Sequence, residues 1–264
     1  MEGNGFKSLV DTADARRNGW VEAVEEIGVF SATRGLETSI GVLKEGEGKY
    51  YIDYTPTEDF VAWFPCANME TTESADSVRI GDKAGTNAVY DDGKVRVEFP
   101  MVAFGNASSE NLVFRHVTGA LAFTLENNGS VDFPISKVQF EASKNGSPFG
   151  LWPDYWEGDG LVCRQDGNGN LVVESRVSNS IVSYNVTDAE DYGMQVLRPG
   201  QTVRVYFPIP VTENTDFKVT VKEGEGHDDG SWDDKVNGIQ VTKNIRNITI
   251  QRNHILNLPK FQIQ

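Results

Sequence analysis

The chain has 264 residues, of which 39% are hydrophobic and 26 are glycine, so it carries enough apolar material for a sizeable core and is neither disordered nor collagen-like. Its 24 basic and 39 acidic side chains leave a formal net charge of −15. That sign repels nucleic acid and anionic membrane, both of which are held by Lys and Arg. No apolar run approaches the 18 or so residues of a membrane span.

The start, Met1-Glu2-Gly3-Asn4-Gly5, has no basic region followed by an apolar one. The chain therefore reads either as cytosolic or as an exported protein without its signal peptide. Ser8 to Val24 is the one helix candidate, and its small and charged residues fit a flexible lead-in equally well. From there the texture is all-β: short stretches of period-2 alternation between clusters of Gly, Asn, Asp and Pro. The predicted strands of the first half are 27–30, 49–54, 60–64 and 95–99. Those of the second are 119–125, 135–140, 170–173, 202–207, 217–221, 245–250 and the tail from Ile255. Strands joined by short turns, with no long amphipathic helices between them, point to antiparallel sandwiches.

Several turns have recognisable chemistry. Asn127-Asn128-Gly129 and Asn145-Gly146 supply residues that tolerate positive φ, and Asp166-Gly167-Asn168-Gly169-Asn170 reads as a hairpin tip. Pro199-Gly200 reads as a type II turn ahead of an alternating strand. The length suggests two domains. We place them at 1–128 and 129–264, with the break at Asn127-Asn128-Gly129; that turn could instead be a hairpin inside one domain, which moves the boundary towards Ser109.

Cys66 and Cys163 stand outside any CxxC pattern and read as buried free thiols. His116, His227 and His254 are far apart, and no nucleophile-elbow, zinc-protease, dinucleotide or phosphate-loop motif occurs. No catalytic residue, cofactor or metal site is therefore predicted. Asp166-x-Asn168-x-Asn170 copies the first ligands of a calcium loop, but Leu171 and Val177 stand where Gly and Glu are needed. The acidic stretch from Glu223 to Asp234 has no ligand spacing and reads as a solvated loop. Trp152, Tyr155 and Trp156 lie among carboxylates, as on a sugar-binding face; rings covering an open sandwich end are the plainer reading.

The order of motifs is informative. Ile27-Gly28-Val29-Phe30 is followed by Asp59 to Pro65, then by Phe114-Arg115-His116-Val117-x-x-Ala120-Leu121-x-Phe123 and Ile135-Ser136-Lys137-Val138. Leu197-x-Pro199-Gly200 precedes Val205-Tyr206-Phe207-Pro208, and Asn253 to Pro259 closes the series. This succession, from about Trp20 onward, resembles the fimbrillins of Bacteroidetes, the subunits of donor-strand pili. The resemblance implies two tandem antiparallel β-sandwich domains of transthyretin-like topology. It also implies export as a lipoprotein precursor, and a place at the cell surface, on the outer membrane or in a fimbrium. Membrane association would come only through a lipid anchor on that precursor.

In that family a protease cuts after an arginine, and a neighbour's C-terminal strand fills the vacated groove. Here the candidate processing residues are Arg16, Arg17 and Arg34. The candidate donor strand is the tail, with Leu256 and Leu258 on one face and Phe261 and Ile263 in the other register after Pro259. The same tail could be the last strand of its own domain, in a hairpin with 245–250. The reading is thus a non-enzymatic pilus subunit or pilus-associated surface protein whose partners are other subunits, itself or related. The alternative is a carbohydrate-binding adhesin at a pilus tip or free on the surface, meeting a surface glycan or protein through Trp152, Tyr155 and Trp156.

Overall fold

A computed structural model describes residues 24–44, 49–52, 55–64, 76–80, 87–91, 94–96, 99–109, 112–142, 160–176, 181–188, 195–227 and 231–264. Among them the chain is all-β, with strands numbered here in chain order and no helix. It divides into two compact units that are not consecutive in sequence. Met1–Ala84, Glu98–Thr118 and Leu151–Val177 build the first; Gly85–Val97, Gly119–Gly150 and Ser178–Gln264 build the second. A single division at residue 128 does not describe this path. The chain passes between units at Thr118–Gly119, and Asn127 ends a strand of the second unit.

The first unit holds β1 (Val24–Ser31), β2 (Gly35–Lys44), β3 (Lys49–Ile52), β4 (Phe60–Phe64), β5 (Ser77–Ile80), β8 (Met101–Gly105), β9 (Arg115–His116), β12 (Gly160–Gln165) and β13 (Leu171–Arg176). They form a six-stranded sheet in the order β3-β2-β1-β4-β8-β9 and a three-stranded sheet β13-β12-β5, with every pair antiparallel. Alternation along β4 sends Val61 and Trp63 into one core with Val78, Ile80, Leu161 and Cys163. It sends Phe60, Ala62 and Phe64 into another with Ile27, Val29 and Met101. Burial on both faces is why this strand reads as an unbroken apolar run. Cys163 is buried, as expected of it, and its Sγ donates to the Leu161 carbonyl at 3.6 Å. Gly28, paired across the ladder with Trp63, leaves room for the indole: a β-carbon there would stand 2.1 Å from the ring.

The second unit holds β6 (Asn87–Asp91), β7 (Lys94–Arg96), β10 (Gly119–Asn127), β11 (Phe133–Ala142), β14 (Ile181–Asp188), β15 (Gln195–Leu197), β16 (Thr202–Ile209), β17 (Thr212–Gly226), β18 (Trp232–Asp234), β19 (Gln240–Ile250), β20 (Ile255–Asn257) and β21 (Phe261–Ile263). The main path is β18-β17-β11-β14-β6-β7-β16-β10-β20, with β15 on β11, β19 on β17 and β21 on β10. The hairpin β6–β7 sits between β14 and β16 and pairs in parallel with both. The core is a row of phenylalanines. The Phe123 ring lies 4.3 Å from Phe261 and 6.1 Å from Phe207, which lies 5.0 Å from Phe140.

The Asp166 turn is the predicted hairpin tip, joining β12 to β13, and its carboxylate is occupied locally. Asp166 Oδ1 accepts from the Asn168 and Asn170 backbone N–H groups at 2.9 and 2.8 Å. These bonds hold the carboxyl below its ordinary value. Gly200, with φ +77°, and the Gln201 N–H donating to the Arg198 carbonyl at 3.0 Å complete the expected type II turn.

The stretch from Glu223 to Asp234 differs from its expectation as a solvated loop. Glu223 to Gly226 belong to β17, and Gly224 to Gly226 pair with β18. Two of its carboxylates, Asp234 and Glu223, are partnered. Asp234 accepts from Ser136 Oγ at 2.7 Å and meets Lys137 and Lys222 at 3.1 Å each. Glu223 accepts the Ile239 N–H at 2.7 Å and pairs with Lys235.

Candidate strand-exchange site

Antiparallel pairing with β16 satisfies one edge of β10. The other edge is taken by the chain's own tail. Ala120 to Ala122 pair in parallel with Ile255 to Asn257, and Leu125 to Asn127 with Phe261 to Ile263. The Ala120 N–H donates to the His254 carbonyl at 2.9 Å, the Leu258 N–H to the Ala122 carbonyl at 2.8 Å, and the Asn128 N–H to the Ile263 carbonyl at 2.8 Å. The alternative of a hairpin with 245–250 is not formed, since β20 pairs with β10 and β19 pairs with β17.

The tail's side chains explain the break at Pro259. Leu256 stands opposite Leu121 and Phe261 opposite Leu125, so the tail has one residue more than β10 between the two points. Five residues of unbroken strand would turn Phe261 outward, because successive side chains alternate. The extra residue at Pro259-Lys260 restores the inward face. Phe261 is 0% exposed, Ile263 2% and Leu258 8%, whereas Leu256 is half-buried. Pro259 lacks an N–H and fits where the ladder is interrupted.

Polar contacts fix the outer side. Glu126 Oε2 accepts from Gln262 Nε2 at 3.2 Å and lies 3.2 Å from Lys260 Nζ. The Gln262 hydrogen bond, then Lys260, holds the Glu126 carboxyl below its ordinary value. Arg204 donates to Asn257 Oδ1 and to Thr124 Oγ1. Lys243, on β19, donates to the Lys260 carbonyl and stands 4.8 Å over the Phe261 ring. At the far end Asn127 is 1% exposed and its side chain is fully used. Nδ2 donates to the Val131 and Leu197 carbonyls at 2.8 Å each, and Oδ1 accepts the Gly129 N–H at 2.9 Å. The Asn-Asn-Gly turn is thus a pin holding three segments at the end of β10.

Of the candidate processing residues, Arg34 lies in the exposed turn between β1 and β2. It donates through Nε to Glu37 Oε1 at 3.1 Å, forms an ion pair with Glu37 Oε2 at 2.9 Å, and reaches the Thr55 carbonyl at 3.3 Å. The strand ahead of it, β1, is paired with β2 along its whole length and with β4 from Gly28 to Ser31. Arg16 and Arg17, and the candidate glycan-binding Trp152, Tyr155 and Trp156, lie outside the described residues. His254 lies in a turn, its N–H donating to the Gln251 carbonyl at 3.2 Å. His116 is 6% exposed, and burial pushes its imidazole down to about 4. Sequence reasoning missed Glu126, Arg204 and Lys243. The available signal was the outward series Thr124, Glu126 on β10 facing a tail that carries Lys260 and Gln262.

No family model matches the chain, and no curated protein does. Solved structures to which it is similar include a candidate cell adhesion protein of Bacteroides fragilis, with a TM-score of 0.46 and 10% identity over 91% of this chain and 80% of that one. A second, from Bacteroides ovatus, has a TM-score of 0.42 and 11% identity over 90% and 82%. A candidate adhesin of Bacteroides thetaiotaomicron has a TM-score of 0.36 and 11% identity over 90% and 85%.

Proposed function

We propose that this chain is a non-enzymatic subunit of a cell-surface fibre whose members join by donated strands. The subunit rests with its own tail folded back on β10. One observation carries the reading. The last residues of the chain form an edge ladder through backbone hydrogen bonds and place Leu258, Phe261 and Ile263 into the core. An edge segment of this kind is what strand addition uses: the backbone supplies affinity and alternate side chains supply specificity. A heterologous contact of this type propagates instead of closing, and so builds a fibre.

In this reading the partners are further copies or related subunits, and the location is the outer surface, reached by an exported, lipid-anchored precursor. Cleavage after Arg34 supplies the acceptor. It severs β1 from β2 and leaves β1 held only by its ladders, with Ile27 and Val29 in the core. Loss of β1 then opens a slot between β2 and β4 for an incoming tail. The test is to trim the purified full chain with an arginine-specific protease and examine it without boiling. Denaturant-resistant ladders are expected from the full chain, and none from a chain ending at Ile255. Ladders that persist without the tail, or no ladders after complete trimming, would contradict the proposal.

A further inference from the structure

The two units are threaded through each other along the chain. Only the segments ending at Ala84 and beginning at Ser178 run out to a chain end; Gly85–Val97, Glu98–Thr118, Gly119–Gly150 and Leu151–Val177 alternate between units. In the second unit the first of two inserted pieces, Gly85–Val97, carries the hairpin β6–β7. It is gripped by parallel ladders, Asn87–Tyr90 against Asn185–Asp188 on one side and Lys94–Val95 against Arg204–Val205 on the other. In the first unit the second of two inserted pieces, Leu151–Val177, carries the hairpin β12–β13, held by Leu161 to Arg164 on Ser77 to Ile80 of β5, with Leu161 and Cys163 in the core.

Tension applied at the chain ends travels along the covalent chain, and this path decides what each unit can release. Suppose the first unit opens while the second holds. Extension then stops at Ala84, because the next segment is the hairpin gripped between β14 and β16. Glu98–Thr118 and Leu151–Val177 become slack loops between points fixed in the second unit, carry no tension and add no length. Suppose instead that the second unit opens first. Extension then stops at Ser178, and Gly85–Val97 and Gly119–Gly150 are the slack loops.

We propose that this threading is a mechanical device: residues 85–177 are shielded from tension until the last unit yields, so neither unit extends to its full length alone. A subunit in a strand-linked fibre would gain a limit on its extension. That use rests on the function proposed above; the threading itself does not.

The experiment is single-molecule pulling of the full chain between handles fused at its two ends. At about 3.5 Å per residue, whichever unit opens first releases no more than about 300 Å of contour length from its outer segment, and the second event releases about 600 Å. A single event releasing the whole chain also supports the device, since no unit has then yielded its inner segments alone. Two events that each release about 460 Å, the full length of one unit, would overturn it. Assembly is read by ladders and threading by contour length, so either proposal can fail while the other stands.

Discussion

Replacing Phe261 by alanine removes the main anchor of the tail. The ring is 0% exposed, lies 4.3 Å from Phe123 and is covered by Lys243 at 4.8 Å. Truncating a buried phenylalanine costs about 3–5 kcal/mol, through lost transfer energy and the cavity left behind. The tail is an edge strand and can settle partly into the gap, so we expect the lower end, about 3 kcal/mol. With a urea m-value of about 2 kcal/mol/M, the transition of the second unit should move down by about 1.5 M. The control is Gln264→Ala, an exposed position of the same tail, for which a change under about 0.5 kcal/mol is expected. Urea unfolding followed by circular dichroism reads both, and amide exchange at Leu258 reports whether the tail has left β10. A midpoint shift for Phe261→Ala no larger than that of the control would refute the packing of the tail in the core.

Gly28→Ala should cost the first unit at least about 1–3 kcal/mol by overpacking, because the added carbon meets the Trp63 indole at 2.1 Å; an unchanged thermal midpoint would refute that contact. His116 makes stability depend on pH. Its folded pKa is depressed to about 4, so between about 6.5 and 4 the unfolded chain binds the extra proton and stability falls as pH falls, by up to about 1.4 kcal/mol per pH unit. His116→Gln should flatten that slope, and denaturation series at pH 7 and pH 5 will show whether it does. Millimolar calcium and EDTA should give the same melting midpoint, because backbone N–H groups already occupy the Asp166 carboxylate; a rise of several degrees with calcium would show that the hairpin tip binds the ion.

The strands were legible because alternation and turn chemistry are local. The Asp166 tip, the Pro199-Gly200 turn and the alternation of Val203, Val205 and Phe207 are each settled within a few residues. The pairing of strands was not. Period-2 alternation says which face a residue takes and nothing about the neighbour, so the parallel insertion of β6–β7 between β14 and β16 has no local signature. The same limit hid the threading. Asn127-Asn128-Gly129 suits a linker and a pin equally well; the carbonyls of Val131 and Leu197 decide between them. The charges from Glu223 to Asp234 looked solvated because Ser136 and Lys137, which neutralise Asp234, are remote in sequence. In the tail, the alternation was visible and the place of residence was open. The extra residue at Pro259-Lys260, which turns Leu256 and Phe261 to one face, acquires meaning only beside β10.

The central claim is that the tail resting on β10 is the strand that a subunit donates. Glu126→Cys with Gln262→Cys, in a Cys66→Ser background, places two thiols at paired positions on the outer face of the ladder. Oxidation should join them in the monomer, and the locked chain, once trimmed with the arginine-specific protease, should form no ladders. The same chain after reduction should form them. Ladders of equal yield from locked and reduced protein would show that the tail on β10 is a permanent strand of its own sheet and that assembly, where it occurs, uses another part of the chain.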